Sequence, residues 1–275
     1  MFDRFDFARP RTFVVAAVVV GVLSGLAGAV FHSIVTEPRV DDAIAIEDAA
    51  AGSDGSDGSD DEVVVSRTTQ KGAGLFAAYG LTGAAFGLFL SVTALSLRTR
   101  SADPFRRVLV AGGILAGAIT VAPWLKYPPN PPAVGDPATV GDREWLYMAL
   151  IVATGLLLAG AAHLSGRLRG AGWADDRRIA VVVLAAGPAF AALVAALPAS
   201  PDPIEVPANL VWQFRLGSLA GNLLVWSLLT VGLGVLCAEA QRRAASAAAG
   251  SPGPADTPGP ADQNSMPLRA EIPSS

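Results

Sequence analysis

Hydrophobic residues occur in six long blocks that are separated by polar segments. The blocks cover residues 12–35, 72–97, 107–125, 145–166, 178–197 and 210–237. About 20 consecutive apolar residues in a helix are enough to cross a hydrocarbon core of ~30 Å. The pattern therefore predicts an all-α fold: a polytopic bundle of about six transmembrane helices.

The first block has a second interpretation, because Ala27-Gly28-Ala29 resembles the cleavage site of a secretory signal peptide. The apolar run nevertheless continues to Val35 without a break, which favours a helix that is retained. With its polar exit at Glu37 and Pro38, the first transmembrane segment is expected to occupy residues 12–38. Residues 1–11 precede it as a polar segment.

Small residues recur at four-residue spacing within several blocks. The pairs are Gly21/Gly25, Gly83/Gly87, Gly113/Gly117 and Gly217/Gly221. This spacing allows helix backbones to approach closely inside a membrane. It predicts a compact bundle.

The connections between the blocks differ in character. Residues 39–71 contain a Gly-Ser-Asp repeat without apolar side chains, so this acidic linker is expected to be disordered. The loop of residues 126–144 is rich in proline, and residues 128–132 (Pro-Pro-Asn-Pro-Pro) cannot form a helix. This loop is expected to be a rigid surface. The tail of residues 238–275 is expected to be disordered.

The distribution of arginine predicts the orientation of the bundle. Arginines precede the first span, follow the second, follow the fourth and follow the sixth. Positively charged connections stay on the cytoplasmic side, so both termini are expected there. The acidic linker, the proline-rich loop and the turn of residues 198–207 would then face outward. The expected location is the inner or plasma membrane, with several spans.

Composition supports a membrane protein. The chain is 52% hydrophobic and 16% charged, whereas a soluble domain has about 25% charged residues. The net charge of −4 arises from one acidic segment and gives no indication of nucleic-acid binding. The single cysteine, Cys237, excludes an internal disulfide and any cysteine cluster.

Three polar residues of the sixth block lie on one helical face. Arg215, Ser218 and Asn222 are spaced at i, i+3 and i+7. Ionisable groups inside a membrane are costly, so this stripe is a candidate translocation path. Alternatively, Arg215 extends its guanidinium to the outer interface.

Candidate metal ligands lie near the outer ends of the spans. His32 shares a helical face with Thr36, and Glu37 follows; imidazole and carboxylate suit divalent cobalt or nickel. Asp136 and Glu205 lie in proline-rich turns that would hold their carboxylates in place. The alternatives are an ordinary interfacial histidine and ordinary solvated loop carboxylates. The second histidine, His163, lies near the cytoplasmic end of the fourth block and is a weaker candidate.

Catalytic patterns are missing from the sequence. There is no phosphate-binding loop with a Walker lysine and no His-Glu-x-x-His pair, and the segment Gly217–Gly221 is not a nucleophile elbow. We therefore expect no enzymatic activity and no cofactor.

Three segments carry a family resemblance. They are Trp124-Leu-Lys-Tyr-Pro-Pro-Asn-Pro-Pro-Ala-Val-Gly-Asp136, Leu197-Pro-x-x-Pro-Asp-Pro and Val206-Pro-Ala-Asn-Leu-Val-Trp-Gln-Phe-Arg-Leu-Gly-Ser218. With the rest of residues 11–236, they make the chain similar to the CbtA family of cobalt transporter subunits. Members have about five spans, so five to six are expected here.

The resemblance implies a component of a bacterial Co²⁺ uptake system that supports cobalamin synthesis. It also implies a small single-span partner subunit with a histidine-rich end. Arg215 would repel a dication unless a carboxylate such as Glu205 paired with it.

Two functions of other classes stay open on the residues alone. One is a membrane scaffold whose proline-rich loop binds a partner without any transport. The other is a permease for an organic anion, with Arg215 as the receptor of the substrate's carboxylate.

Overall fold

The computed structural model describes residues 9–53, 66–97, 103–132, 134, 139–199, 204 and 206–249. Within these ranges the regular structure is helical, and there are no strands. The helices are α1 (Pro10–Val35), α2 (Glu37–Ser53), α3 (Arg67–Ser96), α4 (Pro104–Lys126), α5 (Val140–Gly170), α6 (Asp175–Ala196) and α7 (Ala208–Ala249).

The prediction of an all-α bundle with six spans is confirmed. Every helix in the described ranges except α2 is long and apolar enough to cross a membrane. The proline-rich residues 127–132, between α4 and α5, are not helical, as predicted. We call the end of the bundle that carries these residues the loop end. The arginine end is the opposite one, where α4 begins and α5 finishes.

Glycine brings α1 and α3 into backbone contact. A Cβ atom at Gly21 would overlap the carbonyl of Gly83, and one at Gly83 would overlap the carbonyl of Gly21. Gly25 and Gly87 extend the same crossing. The prediction from this four-residue spacing is therefore confirmed for α1 and α3. It is wrong for Gly113 on α4, where an added Cβ would meet nothing within 4 Å.

The core lies between α1, α3, α4 and α7. Trp226 of α7 stacks on Phe86 of α3 with ring centroids 4.4 Å apart, and its indole nitrogen donates to Thr120 Oγ1 of α4 at 3.0 Å. Leu229 and Leu233 extend this buried apolar cluster along α7. The α5–α6 hairpin lies outside the core, and the apolar part of α6 has no buried residues.

Helix α4 is interrupted where proline removes a backbone donor. Pro123 cannot donate to the carbonyl of Ile119, and the preceding residues Gly117–Val121 form a wider π-helical turn. The hydroxyl of Tyr147 on α5 donates to that carbonyl at 3.4 Å. This contact joins α5 to α4 toward the loop end.

Two predictions of disorder are corrected by the structure. Residues 39–53 of the acidic linker belong to helix α2, since this part is rich in alanine and Asp41 pairs with α3, and residues 67–71 begin α3 itself. Residues 238–249 continue α7, where alanines and the Arg242–Glu239 ion pair favour helix. The centre of the linker, residues 54–65, and the tail from residue 250 lie outside the described residues.

Candidate transport site

His32 lies where α1, α3 and α7 meet near the loop end. Its side chain is buried, with 4% of the residue exposed, and its ring is tilted against that of Tyr79 at a centroid distance of 4.6 Å. A Cβ at Gly221 of α7 would overlap the imidazole, so only glycine leaves room for it. One turn earlier on α7, a Cβ at Gly217 would lie 3.2 Å from Thr36 Oγ1. We call these five residues the His32 crossing.

The two ring nitrogens of His32 have different surroundings. Nδ1 lies 2.8 Å from Thr36 Oγ1, within hydrogen-bond distance, whereas Nε2 is buried without a hydrogen-bond partner. An unsatisfied buried polar atom costs roughly 1–3 kcal/mol. If Nδ1 carries the proton and donates it to Thr36, Nε2 presents a free lone pair. This is the form in which imidazole binds metal, and a second-sphere oxygen on the other nitrogen fixes it.

The residues of the predicted polar stripe on α7 do not form one continuous polar surface. Ser218 is buried beside Gly217, at the level of the His32 crossing. The amide of Asn222 donates to the Ser218 carbonyl at 2.9 Å, within its own helix. The guanidinium of Arg215 instead reaches the proline-rich loop, where Nη2 donates to Asn130 Oδ1 at 2.7 Å.

Arg215 borders a cavity of about 590 Å³ at the loop end. Its charged and hydrogen-bonding lining comprises Tyr127, Asn130, Arg143, Glu144, Tyr147 and Arg215. The carbonyl of Arg215 also accepts a hydrogen bond from the indole of Trp124 at 2.9 Å. Arg215 therefore joins α7 to both α4 and the loop that follows it.

Glu37 and Asp41 of α2 pair with two cations of α3. Glu37 lies 2.5 Å from Arg67, and Asp41 lies 2.5 Å from Lys71 and 3.3 Å from Arg67. We call these four residues the α2–α3 ion-pair cluster. His32 and Glu37, which the sequence suggested as neighbouring ligands, thus have different partners: Thr36 for the first and Arg67 for the second.

The hydrogen bond from Lys71 holds the pKa of Asp41 below its usual range, with a further contribution from Arg67. Because the pKa is depressed in the folded protein, the pairing stabilises the fold above the pKa of the unfolded chain. This stabilisation is lost as the pH falls through the folded pKa. Both side chains are about 40% exposed, so the effect on the free energy of unfolding is below about 1 kcal/mol.

The remaining predicted ligands cannot be placed at this site. Asp136 and Glu205 lie outside the described residues, and His163 lines a cavity at the arginine end. Among the described residues, no group of three or more His, Cys, Asp and Glu side chains is arranged to hold a metal ion. His32 is accordingly a single buried donor.

Comparison with known proteins gives one match. The sequence profile of a family described as "Probable cobalt transporter subunit (CbtA)" matches residues 10–238. The chain belongs to the CbtA family. Neither a curated protein nor a solved structure shows significant similarity to it.

The CbtA match confirms the resemblance found in the sequence and covers all six spans, apart from the last residues of α7. This CbtA protein is therefore a multi-pass membrane protein and a probable subunit of a cobalt transporter. The word subunit implies further components, and the word cobalt implies a metal ion as substrate.

Reasoning from the sequence missed three members of the site. Tyr79 looks like any aromatic residue of an apolar block, and Gly221 was assigned only to helix packing. Arg67 follows the acidic repeat and was counted as part of a disordered linker. The spacing of Gly217 and Gly221 was the one available signal, because it marks where α7 can approach another helix.

Proposed function

We propose that this CbtA protein carries Co²⁺ into a bacterial cell through the inner or plasma membrane, without enzymatic activity or a cofactor. The observation that carries the proposal is the buried Nε2 of His32, which has no protein partner and lies between three spanning helices. A neutral imidazole nitrogen of this kind suits a divalent transition-metal ion that binds transiently. Family membership supports cobalt as that ligand.

The ion would reach His32 from the loop end. In this proposal Glu37, Asp136 and Glu205 attract Co²⁺ from outside, and Glu37 exchanges its ion pair with Arg67 for the metal. Because Nε2 faces the backbone of Gly221, α1 and α7 must separate slightly before a metal can bind. Ser218 and Asn222 would then offer oxygen atoms along α7, and Arg215 would hold the loop in position.

One imidazole is too few to bind a divalent ion firmly. Cobalt sites use several nitrogen or oxygen donors, and the described residues offer no cluster of three. We propose that a small single-span subunit with a histidine-rich end supplies the other imidazoles. The imported cobalt would support cobalamin synthesis.

The proposal is tested by measuring cell-associated metal. Cells that express this chain together with a small histidine-rich partner should accumulate cobalt, whereas cells with the partner alone should not. Nickel and zinc are measured in parallel to obtain selectivity. If both proteins reach the membrane and no metal accumulates, the transport proposal is wrong and a scaffold role is favoured.

The cavity at Arg215 favours a second candidate, a permease for organic anions. Two guanidinium groups, of Arg215 and Arg143, line a space large enough for a small carboxylic acid. In that case Arg215→Gln should abolish uptake of the acid and leave cobalt unaffected.

If Co²⁺ is the substrate, we expect Arg215→Gln to lower cobalt accumulation only several-fold. The substitution removes the charged hydrogen bond from α7 to Asn130 of the loop, whereas the hydrogen bond from Trp124 of α4 to the main-chain carbonyl of residue 215 is kept. Lys126→Gln is the matched control, since it removes one positive charge at the same end and does not line the cavity. If the unmodified chain causes no cobalt accumulation but supports carboxylate uptake that Arg215→Gln abolishes, the permease replaces the cobalt proposal.

A further inference from the structure

A second cavity, of about 600 Å³, lies between α4 and α5 at the arginine end. Four arginines and one histidine line it: Arg106 and Arg107 of α4, and His163, Arg167 and Arg169 of α5. The described lining includes no carboxylate. The nearby acidic residue Asp103, immediately before α4, accepts a hydrogen bond from the amide of Phe105 at the start of that helix and does not line the cavity.

The deeper wall of this cavity is apolar. Val110, Ile114 and Ala162 continue the lining from the charged groups toward the centre of the bundle, and Leu97 adds apolar surface at the end of α3. Val110 and Ile114 lie one turn and two turns beyond Arg106 on α4, so the charged mouth and the apolar trough follow one helix. The cavity is therefore amphipathic along the direction in which a lipid stands in a bilayer.

We propose that this cavity binds the phosphate headgroup of an anionic membrane lipid, with an acyl chain in the apolar trough. Guanidinium groups match phosphate oxygens with paired hydrogen bonds, and basic pockets between spanning helices suit anionic headgroups. The preference of arginine for the cytoplasmic side accounts for the number of charges at this end. It does not account for their convergence from two helices on one cavity with an apolar wall.

The lipid would fasten the α5–α6 hairpin to the bundle. Besides the loop that connects them, α4 and α5 contact each other mainly toward the loop end, where Tyr147 reaches the carbonyl of Ile119. Helix α6 packs mainly on α5. At the arginine end the cavity separates α4 from α5. A headgroup held by arginines of both helices closes this gap and offsets the repulsion between their charges.

Native mass spectrometry of the detergent-purified full chain tests the proposal. Phosphatidylglycerol is added as the anionic lipid and phosphatidylcholine as the zwitterionic one. We expect phosphatidylglycerol to be retained and Arg106→Gln/Arg167→Gln to bind it about 25-fold more weakly, at about fivefold per arginine. The control is Arg242→Gln/Arg243→Gln, which removes two exposed charges of α7 at the same end and should bind as the unmodified chain does.

A second variant separates a lipid from a free phosphate ion. Ala162→Phe fills the apolar trough and leaves every charge in place, so it should weaken phosphatidylglycerol binding without affecting inorganic phosphate. Equal retention of phosphatidylglycerol by the unmodified chain and the double arginine variant would overturn the proposal. Retention of neither lipid, or binding of inorganic phosphate alone, would also overturn it.

Discussion

Replacing Gly83 by valine is expected to remove most of the folded protein from the membrane. The Cβ of any larger residue at this position would overlap the backbone carbonyl of Gly21 on α1. Main-chain atoms cannot rotate away as a side chain can, so α1 and α3 would have to move apart. Overpacking typically costs about 1–3 kcal/mol where side chains adjust, and more is expected against backbone. The total free energy of unfolding of a protein is commonly only about 5–15 kcal/mol.

The measurement is the amount of monodisperse protein after detergent extraction, together with its thermal unfolding temperature. Gly113→Val is the matched control, because Gly113 also belongs to a four-residue glycine pair but has open space around it. This control should yield as much protein as the unmodified chain. If the two variants behave alike, the close contact between α1 and α3 does not determine stability.

Replacing His32 by glutamine is expected to reduce cobalt accumulation to the level of cells without this chain. The substitution removes the buried Nε2 that we propose as the ligand within the membrane, while a polar side chain of similar length stays beside Thr36. The protein should still fold, because the glycines that join α1 to α3 are unchanged. Accumulated cobalt is measured per amount of chain in the membrane fraction.

His163→Gln is the control for this experiment, since His163 is the other histidine of the chain and lies at the arginine end. It should leave cobalt accumulation unchanged. Thr36→Val tests the orientation of the ring: loss of a second-sphere partner typically lowers metal affinity about 10- to 100-fold. Undiminished accumulation in His32→Gln would exclude His32 from the path.

The spans could be predicted from the sequence because each long apolar block has one stable arrangement in a bilayer, a helix that satisfies its own backbone. Helix α2 could not, since much of its support comes from Arg67 and Lys71, about 30 residues later in the chain. In the sequence, the acidic residues of α2 resemble those of a solvated linker, but in the structure two of them form ion pairs with α3.

For the site, the sequence allowed individual residues to be predicted but not the contacts between helices that bring them together. His32 and Thr36 share a face by helical spacing, and the structure confirms this with their hydrogen bond. The contact of His32 with Gly221 depends on the crossing of two helices from opposite ends of the chain, which no local pattern encodes. The stripe from Arg215 to Asn222 was divided because the long arginine side chain extends away from its own turn toward Asn130.

Helix α7 continues well past its apolar block. From Cys237 to Ala249 it rises about 18 Å at 1.5 Å per residue. This length exceeds the depth of a headgroup layer, which is about 5–8 Å on each side of the hydrocarbon core. α7 thus forms a stalk that carries Ala249 out of the headgroup layer and into water.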